Sequence, residues 1–438
     1  MNEKSGTRVY ARAGGLVWGI GAVAGMMAVA ISAARAQTID EAMEIAVRDH
    51  PAVKAQNLEV DAANRDVNAA ISGYFPTLSI DGSVRRERTK QPYSDQTMNP
   101  QDYSVTLTQP IFDGLATPAR VSTAESTADE QKFNARSALN DAALDAANAY
   151  LGVLQARERL ALLQSHESRT QNIAQRIERR AQADTGLRSL TVVGHSETEQ
   201  ARFLVLDAQR ELALAETLYR ELVGTSPEDL QEPADPVELL NLTGEEAVER
   251  ATRAHPALSS ARARARAADS EKDIARSTLF PRLDAEMQAR NGKNIDGVRG
   301  PDDDYYIGLR LTYKFATGGG NLYDVSAASF REQAASMRIQ DVARKVRLGV
   351  LDTLQNFQSS RSTHSVLARR KTAASETVRV YDAQFIGGQR DLLDLFFVLN
   401  EERAANIAEL ESRFAELRSA YGVLAAMGEL GQKVACAE

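Results

Sequence analysis

From Tyr305 to Phe315 the chain alternates without a break. Tyr305, Ile307, Leu309, Leu311, Tyr313 and Phe315 fall on one face, and Tyr306, Gly308, Arg310, Thr312 and Lys314 on the other. That period of two predicts a β-strand with one apolar and one polar side. A second stretch carries Tyr103, Val105, Leu107 and Ile111 on one face. Leu78, Ile80 and Val84, and then Leu283, Ala285 and Met287, mark two further strands more weakly. Polar stretches from Arg85 to Gln101 and from Asn291 to Asp303 join the strand pairs and predict loops.

After each strand pair the period changes. Ala135, Leu139, Ala142, Ala146, Ala149, Val153, Ala156, Leu160 and Leu163 recur at alternating spacings of four and three, the seam of a coiled coil whose small alanines admit close helix neighbours. No proline interrupts residues Ala119 to Ala183, so one helix of about 95 Å is expected at 1.5 Å per residue. A break at Asp184-Thr185-Gly186 starts a return to Val223. Later, Asn321 to Phe385 leads to Gly387-Gly388, and the return carries Ile407, Leu410, Phe414, Leu417, Tyr421 and Leu424 at heptad spacing.

The succession occurs twice. Thr38 to His50-Pro51 aligns with Thr243 to His255-Pro256 at an offset of 205, which Phe75-Pro76 and Phe280-Pro281 keep. Asp102-Tyr103 and Asp304-Tyr305, and Gly186 and Gly388, follow at an offset of 202, which predicts a duplication with a small length change in one loop. Thr38 and Thr243, each with a glutamate three residues on, predict capping boxes at the start of a helical stretch that Phe-Pro ends. The expected organisation is a first repeat over 37–226, a proline-containing acidic linker over 227–242, a second repeat over 243–430 and a tail over 431–438.

Residues 1–36 stand apart. Lys4, Arg8 and Arg12 precede an apolar run from Gly14 to Ile31, and Ala34-Arg35-Ala36 follows, the order of a signal peptide cleaved after Ala36. A membrane-anchoring helix is the other reading of that run. Removing the segment takes away a net +3 and shifts the formal charge from −8 to −11, a balance unsuited to nucleic acid. The single cysteine, Cys436, has no intrachain partner, so packing must hold the exported chain.

Little enzymatic chemistry is on offer. Gly318-Gly319-Gly320 lacks the Lys and Ser or Thr of a phosphate loop and reads as a turn between strand and helix. His50, His166, His195, His255 and His364 lack metal-ligand spacing, and His50 and His255 read as structural. No nucleophile, base and oxyanion grouping assembles, so neither an enzyme nor a cofactor is expected. Arg262, Arg264 and Arg266 alternate with alanine and spread around a helix as a solvated surface.

Strands of roughly ten residues with one apolar face suit a membrane barrel, the other reading being a soluble sheet packed on helices. Four strands do not close in lipid, two copies would give a filled barrel, and three give twelve strands with a lumen. The repeat, the Phe-Pro pairs, the run Gln109-Pro110-Ile111-Phe112-Asp113-Gly114 and the glycine turns resemble the TolC-like outer-membrane efflux and secretion proteins over Thr38 to about Leu430. That resemblance implies a mostly α-helical chain: long helical hairpins forming a periplasmic α-barrel tunnel, with four strands per chain in a trimeric 12-stranded β-barrel embedded in outer-membrane lipid. It implies a passive conduit working with a periplasmic adaptor and an inner-membrane ABC transporter.

The same resemblance implies a gate at the tip. Arg180 to Leu187, with Gly186, and the second turn at Gly387 and Gly388 match the turns that adaptors grip. Arg390 matches an arginine tying neighbouring coils, Asp394 an acidic ring of the constriction, and Phe385 a latch tyrosine without its hydroxyl. Thr191 is retained, whereas Val192 and Phe397 replace acidic positions, which implies a more apolar closure. For Arg390 and Asp394 an ordinary solvated pair is the competing reading. The stretches Leu392 to Leu395 and Tyr421 to Leu430 look most like members paired with type I secretion. Small-molecule efflux and a purely structural periplasmic coiled coil are the alternatives.

Overall fold

The computed structural model describes residues 37–92, 94–183, 188–234, 239, 241–314, 317–386, 390 and 392–435. The expected signal peptide, Cys436, Phe315, the Asp184-Thr185-Gly186 break and part of the linker lie outside the described residues.

Each half opens with two helices where the sequence suggested one. In the first, α1 (Ile39–Asp49) and α2 (Pro51–Ile71) meet at His50; in the second, α5 (Gly244–Ala254) and α6 (Pro256–Ser277) meet at His255. Both capping boxes form, Thr38 with Glu41 and Thr243 with Glu246. The histidine ends one helix and starts the next, its Nδ1 accepting from the backbone N–H of Ala52 or Ala257 at 3.2 Å, while the following proline takes the first position, where its missing N–H costs nothing. Phe-Pro does not end these helices. They stop earlier, at Ile71 and Ser277, and the proline instead leads straight into a strand.

The strands are β1 (Thr77–Val84), β4 (Gln101–Phe112), β5 (Arg282–Lys293) and β6 (Pro301–Thr312), and they form one antiparallel sheet in the order β1-β4-β5-β6. The β4–β5 pairing joins the two halves. The run Gln109 to Phe112 therefore closes β4 rather than following it, with an irregular register at Pro110, where the ladder lacks a donor. The last strand stops at Thr312, so Tyr313 and Lys314 lie beyond it. The segment from Arg85 to Gln101 is not simply a loop: β2 (Glu87–Gln91) and β3 (Ser94–Met98) pair as a small separate hairpin.

Register sorts the faces. Leu78, Ile80, Tyr103, Val105, Leu107, Met287, Tyr305, Ile307, Leu309 and Leu311 lie on one side, all exposed. The other side carries ion pairs: Asp102 with Arg290 at 2.8 Å, Glu286 with Arg310 at 2.7 Å, and Arg282 with Asp284 at 2.8 Å.

Two long helices run from the sheet, α3 (Ala116–Ala183, 68 residues) and α7 (Gly320–Ile386, 67 residues), each about 100 Å long. Pro118 is accommodated in the first turn of α3. Between β4 and α3, Gly114 has φ +70°, and a Cβ there would sit 2.5 Å from the Ser277 carbonyl oxygen. No other residue type fits this corner. Near the sheet α2 and α6 flank the long helices; towards the far end α4 (Arg188–Val223) and α8 (Leu392–Ala426) take their place. Four helices thus stand abreast at either level. Arg262, Arg264 and Arg266 are exposed on α6, and no described helix is long and apolar enough to cross a membrane.

The main core is a belt halfway along, where Met43, Tyr150, Leu151, Tyr219, Phe357 and Phe414 are fully buried. The expected seams supply it: Ala146, Ala149 and Val153 from α3 meet Leu410, Phe414 and Leu417 from α8. A short α9 (Leu430–Ala435) follows Gly428 and packs on α3, so the boundary expected at Leu430 falls at its first residue.

Candidate gate at the helix tip

At the end away from the sheet, α3, α4, α7 and α8 close on a second apolar cluster of Ile173, Ile177, Phe385, Leu395, Phe396 and Leu399. Gly194 of α4 faces Ala174 and Ile177 of α3, where a Cβ would still find ordinary contact distances.

Phe385, near the end of α7, is 3% exposed. Two guanidinium groups from α3 cover its ring, Arg176 at 4.5 Å and Arg180 at 4.6 Å from the centroid. Arg176 also binds Asp382 at 3.0 Å, one turn before Phe385. A ring covered by two cations joins α3 to α7 without a hydroxyl. The sequence reading placed Arg180 in an adaptor-contact turn; here it also belongs to this clamp. Arg176 was missed. Its position four residues before Arg180, on the same helix face, was the only available signal.

Arg390 lies over the Tyr381 ring at 4.6 Å, donates from Nε to Gln384 at 3.2 Å, and reaches Asp394 at 3.4 Å. The last contact is long and its side chains are half exposed, the geometry of a weak i,i+4 pair. Thr191 is partly buried at the start of α4, in a groove also lined by Ala174, Gln175, Glu178 and His195. Val192 is 69% exposed and Phe397 74% exposed, so each chain turns two large apolar side chains outward beside the cluster. Gly186, Leu187, Gly387 and Gly388, assigned to the adaptor-contact turns, lie outside the described residues.

Above the cluster, polar ties link the two hairpins. Arg169 of α3 binds Glu402 of α8 at 2.5 Å, and Asn400 donates to Glu197 of α4 at 3.0 Å. His166, buried one turn before Arg169, is pushed down to about 4 by burial and by the nearby positive charges of Arg403 and Arg169. It is held neutral at ordinary pH.

The family described as "Outer membrane efflux protein" matches residues 42–222 and 247–429. Outer membrane efflux protein BepC of Brucella suis biovar 1 is 26% identical over 408 residues, covering 91% of this chain and 87% of that protein. Protein CyaE of Bordetella pertussis is 23% identical over 406 residues, covering 90% and 84%. A crystal structure of a membrane protein from Pseudomonas aeruginosa superposes with a TM-score of 0.79 at 17% identity, covering 89% of this chain and 91% of that one.

Proposed function

Because the chain belongs to the outer membrane efflux protein family, and is therefore an outer-membrane channel subunit reaching into the periplasm rather than an enzyme, we propose that it serves a type I secretion system as a passive conduit for unfolded protein. Channels of this family are trimers that work with adaptor and transporter partners. The partners proposed here are a periplasmic adaptor and an inner-membrane ABC transporter.

The observation that carries the conduit reading is the inner face of the sheet. Six of its charges are matched in three pairs, Asp102 with Arg290, Glu286 with Arg310 and Asp284 with Arg282, while Asp81, Asp302 and Asp304 on the same face have no ion pair among the described residues. A hydrated wall of polar and charged side chains, with only a small acidic excess, offers a passing chain no run of apolar side chains to adhere to. The resemblance of Leu392 to Leu395 and Tyr421 to Leu430 to secretion-paired channels supports protein as cargo. Small-molecule efflux is the second reading, favoured by the name of the relative BepC. Deleting the gene and measuring both secreted protein and drug susceptibility separates them. Loss of one secreted polypeptide with unchanged drug tolerance is expected; the reverse result would sink the secretion reading.

The tip is proposed as the gate, with Arg390, Asp394, Phe385, Thr191 and Phe397 forming it and the turns at Arg180, Gly186, Leu187, Gly387 and Gly388 meeting the adaptor. Arg390→Ala removes the contacts to Tyr381, Gln384 and Asp394 together. Conductance of the isolated channel in a planar bilayer is expected to rise, and unchanged conductance would take Arg390 out of the gate.

A further inference from the structure

We propose that neighbouring copies are fastened at the outer rim of the barrel by a charge clasp, in which the acidic outer end of β6 on one chain meets the basic segment leaving β1 on the next. The inference rests on the trimeric-channel reading and adds a specific contact to it.

β1 and β6 are the two edges of the sheet, and every residue of both strands is exposed. Their unpaired backbone groups need partners in lipid. β1 runs away from the helices and β6 runs back towards them, so β6 of one copy meets β1 of the next antiparallel, as closure requires. The strands are unequal. β1 has 8 residues and β6 has 12, and Thr77 stands in the row of Thr108, Glu286 and Gly308, short of the helix-side end at Thr312.

Strands of a closed barrel tilt and stagger, which brings their ends level around the ring. With the helix-side ends level, Thr312 of one copy lies opposite Thr77 of the next. That register places Leu311 opposite Leu78, Leu309 opposite Ile80 and Tyr305 opposite Val84, apolar against apolar on the lipid face. A slip of one residue would turn every one of these pairs to opposite faces. Counting outward, Asp304 then falls opposite Arg85 and Asp303 opposite Arg86.

The charges on the two edges are available for such a contact. Among the described residues Asp302, Asp303 and Asp304 make no ion pair within the chain, and neither does Arg86 or Lys90; Arg85 has only Glu87, at 3.3 Å on the surface. Within its own chain Asp303 accepts a hydrogen bond at Oδ1 from Asn291 of β5 at 2.6 Å, on the side away from the free edge, which leaves Oδ2 for a contact with the next copy. Three carboxylates without an ion pair on one edge and a basic run on the other complement each other, while two like edges would repel. The clasp thus favours closure of one chain on the next in this register.

The test uses the full-length purified channel in detergent, reading the temperature at which the oligomer dissociates on a gel. Asp303→Lys with Asp304→Lys, or Arg85→Glu with Arg86→Glu, is expected to lower that temperature, and joining both pairs of changes in one chain is expected to restore it. At 1 M salt, where screening acts within about 3 Å, the wild type is expected to lose much of its margin over either reversal. In a Cys436→Ser background, Asp303→Cys with Arg86→Cys is expected to cross-link copies into a ladder ending at the trimer under mild oxidation. Unchanged dissociation in both reversals, absence of rescue in the combined chain, or absence of cross-linking would each overturn the clasp while leaving the trimer intact. A wild type that is monomeric would instead overturn the channel reading beneath it.

Discussion

Phe385, covered by Arg176 and Arg180, joins two helices whose contacting residues lie about two hundred positions apart, and its proposed role in the gate depends on the ring rather than on apolar bulk. Phe385→Leu separates the two, because leucine refills most of the buried volume and removes the face that the cations cover. The expected result is a higher single-channel conductance with normal oligomer yield; a wild-type conductance would show that bulk alone suffices. The contact was not legible in the sequence, which supplies the position of Phe385 and its missing hydroxyl but not what replaces that hydroxyl. His166 offers a second test. Its folded value of about 4 lies below the 6.5 of a free imidazole, so as the pH falls the unfolded chain takes up the proton first. Stability is therefore lost progressively from about 6.5 down to about 4 and levels off below. The groups facing it are Arg169 on its own helix and Arg403 on α8. His166→Gln is expected to flatten that part of the denaturation profile relative to wild type; an identical pH dependence would rule out His166 as its source.

At the scale of elements, the strands and the long helices were readable because burial imposed a strict period on each. Tyr305 to Leu311 must alternate if one face meets lipid, and Ala146, Ala149 and Val153 must keep their heptad spacing if the belt is to close. The hairpin of β2 and β3 does not show in the pattern because Glu87, Arg88, Thr89, Lys90 and Gln91 are all polar, so the half-buried side carrying Glu87 and Thr89 has no hydrophobic period to mark it. The break at His50 escaped for a different reason. The matched His-Pro pairs stand out in the repeat, but a histidine capping through Nδ1 is not among the residues usually read as caps. The lipid face can be tested on adjacent positions. Met287 projects from the apolar side of β5, whereas Gln288 faces inward and donates to Thr106 at 3.1 Å. Met287→Arg is expected to cost about 2–4 kcal/mol near the bilayer midplane and to abolish heat-modifiable oligomers in outer-membrane fractions, while Gln288→Arg leaves them in place. Equal tolerance of both changes would mean that the assigned faces are wrong.

For the molecule as a whole, two hairpins per chain give four strands and, at each level, four helices, so three copies make twelve of each around one passage. Sorting of ions along that passage depends on where charge is left uncompensated. In the sheet, three arginines are matched by three carboxylates at 2.7–2.8 Å, and such close pairs project little field into a hydrated lumen; Asp81, Asp302 and Asp304 share that face without an ion pair among the described residues, but they act across the wide barrel, where screening is strongest. At the tip, Asp394 is matched only by the long 3.4 Å contact to Arg390 and stays half exposed, while Val192 and Phe397 add apolar surface and no charge. Three copies of Asp394 around a narrow opening would concentrate negative potential there. The channel is accordingly expected to prefer cations, and the reversal potential across a salt gradient measures that preference directly. Asp394→Asn is expected to move the reversal potential towards zero. Arg290→Gln, which leaves Asp102 uncompensated in the wide barrel, is expected to shift it slightly further towards cations. If Asp394→Asn leaves the reversal potential where it was, ions are not sorted at the tip, and the pairing of charges along the sheet would have to be reconsidered as the source of selectivity.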